Sequence, residues 1–289
     1  MSERDPPPAH PSARPKPGKG AAIWRDLRSL LGFLAVFFGV QSVAAQQHYI
    51  PSESMMPGLL KGDRLLVSKY AYGWSWASVP FHFLPETPGR VLGRTPARGD
   101  VVTLVPTRGK EAWIKRVIGL PGDMVGVVDG QVVLNGRPVP REERAARLIP
   151  VDANAPCDAR QFPGALVRDE HGRPFCRLPI YRETLPGGAR YDTVDLVQGS
   201  PGDDVRPVRV PEGYLFLMGD NRDNSADSRF PSEQGGLGSV PWRNLGGRAE
   251  FVTFSLDGSA SYADPLSWWR SLRGERAGES LRPERRIGG

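Results

Sequence analysis

Asp123-Met124-Val125-Gly126-Val127-Val128-Asp129-Gly130-Gln131-Val132-Val133-Leu134-Asn135-Gly136 reads as strand, turn, strand, turn. Asp-Gly and Asn-Gly suit tight hairpin turns because both residues tolerate positive φ. The pattern repeats outward. Gly62-Asp63 opens Arg64-Leu65-Leu66-Val67, and Gly99-Asp100 opens Val101-Val102-Thr103-Leu104-Val105. Tyr214 to Met218 and Glu250 to Leu256 are apolar enough for buried strands. Tyr70, Tyr72, Trp74 and Trp76 recur at every second position, so an extended chain shows them on one face. Phe81 and Phe83 continue that cluster, as a core face or as an edge dipping into lipid headgroups. No stretch after residue 47 has a long helical period, so the expectation is a mainly β domain of many short strands.

Two regions break the pattern. Residues 141–209 are rich in Arg, Pro, Asp and Gly and hold both cysteines, Cys157 and Cys176. They read as an insertion or small loop-rich subdomain of the 47–289 domain. The other is the apolar run of 27–46, whose centre, Leu30 to Val40, carries no charge. Its length corresponds to ~30 Å of helix, enough to span a bilayer. Residues 1–26 are Pro- and Lys-rich and read as a disordered basic tail. With the basic residues ahead of the run, the N-terminus is expected in the cytoplasm and residues 47–289 outside it. The alternative is a cleaved secretory signal, since Val43-Ala44-Ala45 before Gln46 has small residues suited to cleavage. The long preceding segment favours the retained anchor. In an exoplasmic domain the two cysteines form a disulfide or remain free thiols. Closing a loop of that length contributes about 3 kcal/mol.

The chain of 289 residues has a formal charge of +6 and a pI near 9.5. That charge fits nucleic acid or anionic lipid, and its distribution favours lipid. Arg14, Lys16, Lys19, Arg25 and Arg28 precede the uncharged centre of the apolar run, and Arg270, Arg273, Arg276, Arg282, Arg285 and Arg286 crowd the C-terminus near Trp268-Trp269. No nucleic-acid signature is present, so nucleic acid is not expected as a partner.

Chemistry enters at Ser54, in Ile50-Pro51-Ser52-Glu53-Ser54-Met55-Met56-Pro57 just past the apolar run. A serine hydroxyl needs a base to become a nucleophile. The four histidines, His10, His48, His82 and His171, lie in no hydrolase-type motif. Lysine serves if it is neutral, which burial promotes by penalising the charged form. Lys115, in Trp113-Ile114-Lys115-Arg116-Val117-Ile118-Gly119, shares a strand face with Trp113 and Val117. Arg116 points the opposite way, to solvent or a carboxylate. The competing reading is a lysine that snorkels to water. A third string, Gly219-Asp220-Asn221-Arg222-Asp223-Asn224-Ser225-Ala226-Asp227-Ser228-Arg229, follows the strand ending at Met218. Counted from Asp223 as a calcium loop, it has Ser228 at the glycine position and Gln234 at the glutamate position, so it is not one. It reads as a self-bonded polar loop in which Ser225 can bond a lysine amine and Asp227 can pair with Arg229. No metal and no cofactor are expected.

Together these strings resemble, in order, the boxes of bacterial type I signal peptidase, the leader peptidase that removes signal peptides. Pro51 to Pro57 resembles its nucleophile box and Gly62 to Gly73 the next. Arg98 to Val102 with Ile114 to Asp123 resembles the base box. Gly219 to Arg229 resembles the last, and Gly247-Arg248-Ala249 the closing strand. The resemblance implies a single-pass protein of the bacterial inner membrane with a coiled antiparallel β-sheet catalytic domain outside. It implies Ser54 as acylating nucleophile, Lys115 as general base and Ser225 orienting the lysine. The Ser52 hydroxyl and Ser54 N–H form the oxyanion hole, and Ile50, Met55, Leu59 and Ile114 line shallow pockets. Substrates are exported preproteins with Ala-x-Ala-type sites, met at the phospholipid membrane. Two positions depart: Gly58 replaces the family's usual threonine, and Pro231 to Gly236 is longer and richer in glycine.

Rival readings are a conjugative-pilus maturation peptidase or self-cleaving repressor with the same Ser–Lys pair, and a membrane-tethered β module without chemistry. Self-processing after Ala45 is a further expectation.

Overall fold

The computed structural model describes residues 19–79, 85–261 and 263–285. Most of the basic tail, with His10, and the segment holding Phe81, His82 and Phe83 lie outside these residues. The chain divides into two units, Met1–Val40 and Gln41–Gly289.

Helix α1 runs Lys19–Val43. It starts ahead of the apolar window, so residues 19–26 are helical and not part of an irregular tail. Its last two residues, Ser42-Val43, are weaker helix formers, and Ala45 already belongs to a strand, which corrects the expected 27–46 helix. Ile23, Trp24, Leu27, Leu30, Leu31, Phe33, Val36 and Phe37 are exposed on it. Arg25 and Asp26 pair on the same surface. Among the described residues, no helix is long and apolar enough to cross a membrane.

The second unit is mainly β. Its strands are β1 (Ala45–Tyr49), β2 (Asp63–Ser68), β3 (Val101–Leu104), β4 (Trp113–Gly119), β5 (Met124–Val128), β6 (Gln131–Leu134), β7 (Arg137–Pro138) and β8 (Arg141–Pro150). They continue with β9 (Leu166–Arg168), β10 (Pro174–Thr184), β11 (Ala189–Thr193), β12 (Val205–Arg209), β13 (Tyr214–Met218), β14 (Val240–Pro241), β15 (Leu245–Ser255) and β16 (Glu284–Arg285), with a short helix α2 (Pro265–Arg270) before the last. Seven strands pair antiparallel in the order β1-β2-β15-β3-β4-β13-β14. β15 slips register at several points against β2 and β3. Each slip bends and twists the strand, so the sheet curls. β12-β5-β6-β7 form a smaller sheet. The expected hairpin is present: Asp129 (φ 47) and Gly130 (φ 74) both sit in the left-handed region between β5 and β6.

Residues 141–209 combine long loops with more strand than their composition suggests. β8, β9, β10 and β11, joined by β16, make a third sheet, while β12 pairs with β5 outside the inserted region. Charge masked the pattern: β8 is exposed over most of its length, whereas β10 and β11 alternate. A disulfide joins Cys157 to Cys176 with Cα atoms 5.5 Å apart. It sits in an apolar cluster with Ile149, Phe162, Leu178, Met56 and Leu60, so this sheet packs directly beneath the segment that follows Ser54.

Other expectations change. The aromatic alternation is not a strand. Gly73 (φ 75) turns the chain, and Trp76–Ser78 is a 3-10 turn. Tyr72 is buried with its hydroxyl donating to Asp100, while Tyr70 is exposed. Three of the C-terminal arginines are engaged within the protein: Arg273, Arg276 and Arg282 pair with Asp152, Asp63 and Glu250. Ala45 pairs with Ser68, and the Ala44 carbonyl accepts from Lys69 N–H. A self-cut after Ala45 therefore requires β1 first to leave β2.

Candidate active site

Ser54 sits in the tight turn between β1 and β2, only 8% exposed. Met56 N–H donates to the Glu53 carbonyl and Leu59 N–H to the Met55 carbonyl. Asp63 ties the end of this turn. It accepts from Leu60 N–H, and Arg276 binds its carboxylate at 2.6 Å while donating to the Gly58 carbonyl at 2.9 Å. A methyl group at Gly58 would meet only ordinary contacts, Met55 O at 3.7 Å and Asp220 Oδ2 at 3.8 Å. The missing threonine therefore leaves room beside the nucleophile turn.

Lys115 lies in the middle of β4, paired with Val102 of β3, and is 4% exposed. Its Nζ is 2.8 Å from Ser54 Oγ and 5.6 Å from the Trp113 ring centre. It does not snorkel. Burial pulls its pKa from 10.5 down to about 8; Asp227 and Asp220 oppose that shift, and Arg229 assists it. Arg116 points away from the amine, into the protein, where Asp220 grips it at 2.6 and 2.7 Å.

The loop after β13 closes around this pair. Asp227 and Arg229 form a fully buried ion pair at 2.9 Å, and Asp227 also accepts from Gly219 N–H. Burial pushes the Asp227 carboxyl up, but the Arg229 charge and these hydrogen bonds together hold it below the usual carboxylate range. Asn221 N–H donates to the Ser54 carbonyl at 3.1 Å, and its side chain to the Glu53 carbonyl at 3.3 Å. Gly219 admits no side chain, since a Cβ there would lie 2.2 Å from Ser225 Oγ and 2.5 Å from Ser54 O. Ser225 packs against this glycine. Its buried hydroxyl has no hydrogen-bond partner among the described residues, so the expected bond to Lys115 is not formed.

A cleft of about 330 Å³ opens over Ser54 and Lys115. Ser52, whose hydroxyl is 3.4 Å from Ser54 Oγ, lines it with Ile50 and Ile114. Strand alternation put Ile114 on the face opposite Lys115, yet both reach the cleft, which runs along the strand instead of to one side. Met55 and Leu59 do not line it. They are 1% exposed and packed with Leu65, Val67 and Val252 in the core beneath, because the tight turn directs them inward. Thr103, Trp113, Asn224 and Ala226 also line the cleft, as do His48 and Glu111. Of these, Trp113 on the strand face of Lys115 and the Asn/Asp-dense loop are the ones that the sequence signals.

The structure thus sets a buried lysine side chain against a serine hydroxyl at the floor of an open cleft. The chain belongs to the signal peptidase family: the family model for signal peptidase, peptidase S26, matches residues 23–254. It is 30% identical over 255 residues to a signal peptidase I of Rickettsia bellii, covering 86% of this chain and 76% of that one. With a signal peptidase I of Rickettsia typhi the identity is 32%, over 86% and 83% of the two chains. A solved signal peptidase I from Enterococcus faecalis overlays 54% of this chain and 97% of its own, at a TM-score of 0.27 and 21% identity. The family makes this chain a serine endopeptidase.

Proposed function

We propose that this enzyme removes signal peptides from exported preproteins, cutting after Ala-x-Ala-type sites through a Ser54 acyl-enzyme with neutral Lys115 as base. The 2.8 Å approach of Lys115 Nζ to Ser54 Oγ carries the proposal. Ser54 Oγ attacks the scissile carbonyl while Nζ takes its proton. The Ser54 N–H and Ser52 hydroxyl hold the developing oxyanion, each such donor contributing about 3–4 kcal/mol. As the tetrahedral intermediate collapses, the ammonium returns the proton to the leaving amine of the mature protein. Water, deprotonated by the same amine, then attacks the acyl carbonyl, and Ser54 leaves with the proton. The shallow walls at Ile50 and Ile114 suit small side chains beside the cut. We further propose that the enzyme works at the phospholipid membrane on the exoplasmic side, supported by the exposed apolar side chains of α1 and by Trp268 and Trp269 on α2.

The test is cleavage of a preprotein carrying one Ala-x-Ala site by the purified full chain in detergent, with product termini read by mass spectrometry. A single cut after the second alanine is expected. An intact preprotein in the presence of well-folded enzyme would favour a narrower substrate, such as a pilus precursor.

The pH profile follows from Lys115. Its folded pKa of about 8 lies below the ordinary lysine value, and the neutral form is the active one. Activity should therefore rise tenfold per pH unit below 8 and level off above it. A flat profile from pH 6 to 10 would argue against a lysine base.

A further inference from the structure

The third sheet, built largely within residues 141–209, takes no part in the chemistry above, yet it reaches both halves of the site through buried groups. Glu183 on β10 is 1% exposed and holds Arg222 of the catalytic loop in a two-pronged pair at 2.6 and 2.7 Å. Arg222 Nε in turn donates to the Gly219 carbonyl. Tyr191 on β11 donates its hydroxyl to Glu183 at 2.8 Å, and its ring lies 4.3 Å beneath the Arg116 guanidinium. Arg116 is the neighbour of Lys115 on β4. The backbone follows the same route. Val194, just past β11, donates to the Asp220 carbonyl and accepts from Arg222 N–H, and Asn221 between them donates to the Ser54 carbonyl.

We propose that Glu183 and Tyr191 are positioning residues for the catalytic pair, and that this is what the inserted sheet contributes to the reaction. Glu183 fixes the loop that seats Ser54, and Tyr191 fixes the strand that carries Lys115. Both arginines are fully enclosed cations, and each needs a fixed anion or ring to remain where it is. Arg116 has Asp220 and Tyr191; Arg222 has Glu183. Loosening either lets the loop shift against the strand and admits water to the Lys115 amine. Displacing catalytic groups by about 1 Å lowers rates by as much as about 10²-fold. Admitting water also restores the charged form of the lysine. The proposal rests on the Ser54–Lys115 reading.

The experiment compares full-length wild type, Glu183→Gln, Tyr191→Phe and, as a control on the same sheet, Arg177→Ala. It measures kcat and KM on one preprotein across pH, together with thermal melting. Glu183→Gln is expected to lower kcat by about 10–100-fold, with KM little changed, and to move the rise in activity to higher pH. Tyr191→Phe, which keeps the ring over Arg116, is expected to do the same to a smaller degree while staying folded; Arg177→Ala should match wild type. Lower melting temperatures with wild-type kcat and pH profile would overturn the proposal, leaving the sheet a mere scaffold. If Glu183→Gln does not fold, Tyr191→Leu, which takes the ring from Arg116 and the hydroxyl from Glu183, decides in its place, and a wild-type kcat and profile there is the overturning result. A wild-type profile with no rise near pH 8 would instead strike the lysine-base reading itself, which separates the two failures.

Discussion

Ser54→Ala is expected to abolish preprotein cleavage, by a factor of about 10⁶ in kcat, the scale seen when a serine peptidase loses its nucleophile. The lost hydroxyl is the atom that becomes covalently attached to substrate, and nothing else on the cleft floor replaces it. Ser52 lies beside Ser54, but it is exposed, and its hydroxyl donates to Ser54 Oγ at 3.4 Å. The variant should fold normally, because the substitution removes one hydroxyl and leaves the turn held by Asp63, Arg276 and Asn221. Binding of an uncleaved preprotein should survive. Retained cleavage in a folded Ser54→Ala enzyme would move the nucleophile elsewhere.

The second expected result is that Lys115→Met loses activity and gains stability. General-base catalysis contributes about 10²–10⁴-fold, and the loss should fall in that range or beyond it, because the pair acts as a unit. The double variant Ser54→Ala/Lys115→Met should then be no worse than Ser54→Ala alone. Stability moves the other way. Burial holds the folded pKa of Lys115 near 8 against 10.5 for the free side chain, so at pH 7 the folded state either buries a charge or gives up a proton that the unfolded chain retains. A shift of that size corresponds to about 3 kcal/mol of destabilisation below pH 8. The penalty shrinks as pH rises through the folded pKa and vanishes above the unfolded one. Lys115→Met fits the same apolar slot without the penalty, so its melting temperature should exceed wild type at pH 7 and converge with it only above pH 10.5. Activity persisting in this variant would shift suspicion to His48, which lines the cleft.

Both predictions turn on a site whose chemistry was legible in the chain and whose geometry was not. The alternation around Lys115 was enough to place it on a strand face between Trp113 and Val117, and short-range turn chemistry was enough to place the hairpin at Asp129-Gly130. Such features depend on neighbours a few residues away, which the chain itself specifies. Where the expectations failed, a longer-range contact had decided the outcome. The family resemblance implies that Met55 and Leu59 line the cleft, but the turn around Ser54 sends them into the core with Leu65 and Val252. Ser225 was assigned to the lysine by its place in the loop, yet close packing at Gly219 determines where its hydroxyl lies. The alternating aromatics of 70–76 have a strand's period, but Gly73 turns the chain and Asp100 takes the Tyr72 hydroxyl.

The inserted region marks the division most clearly. Its charged, proline-rich composition hid a sheet, because β8 is solvated along most of its length and carries no apolar alternation. Local sequence determined that a serine, a lysine and a polar loop would stand on or beside strands, since strand period and turn preference are properties of adjacent residues. Only the tertiary structure decided that Ser54 and Lys115 would meet, that burial would bring the amine near neutrality, and that Glu183 would bind Arg222. Each of these depends on segments far apart in the chain being brought together, and burial itself exists only once the sheets have packed.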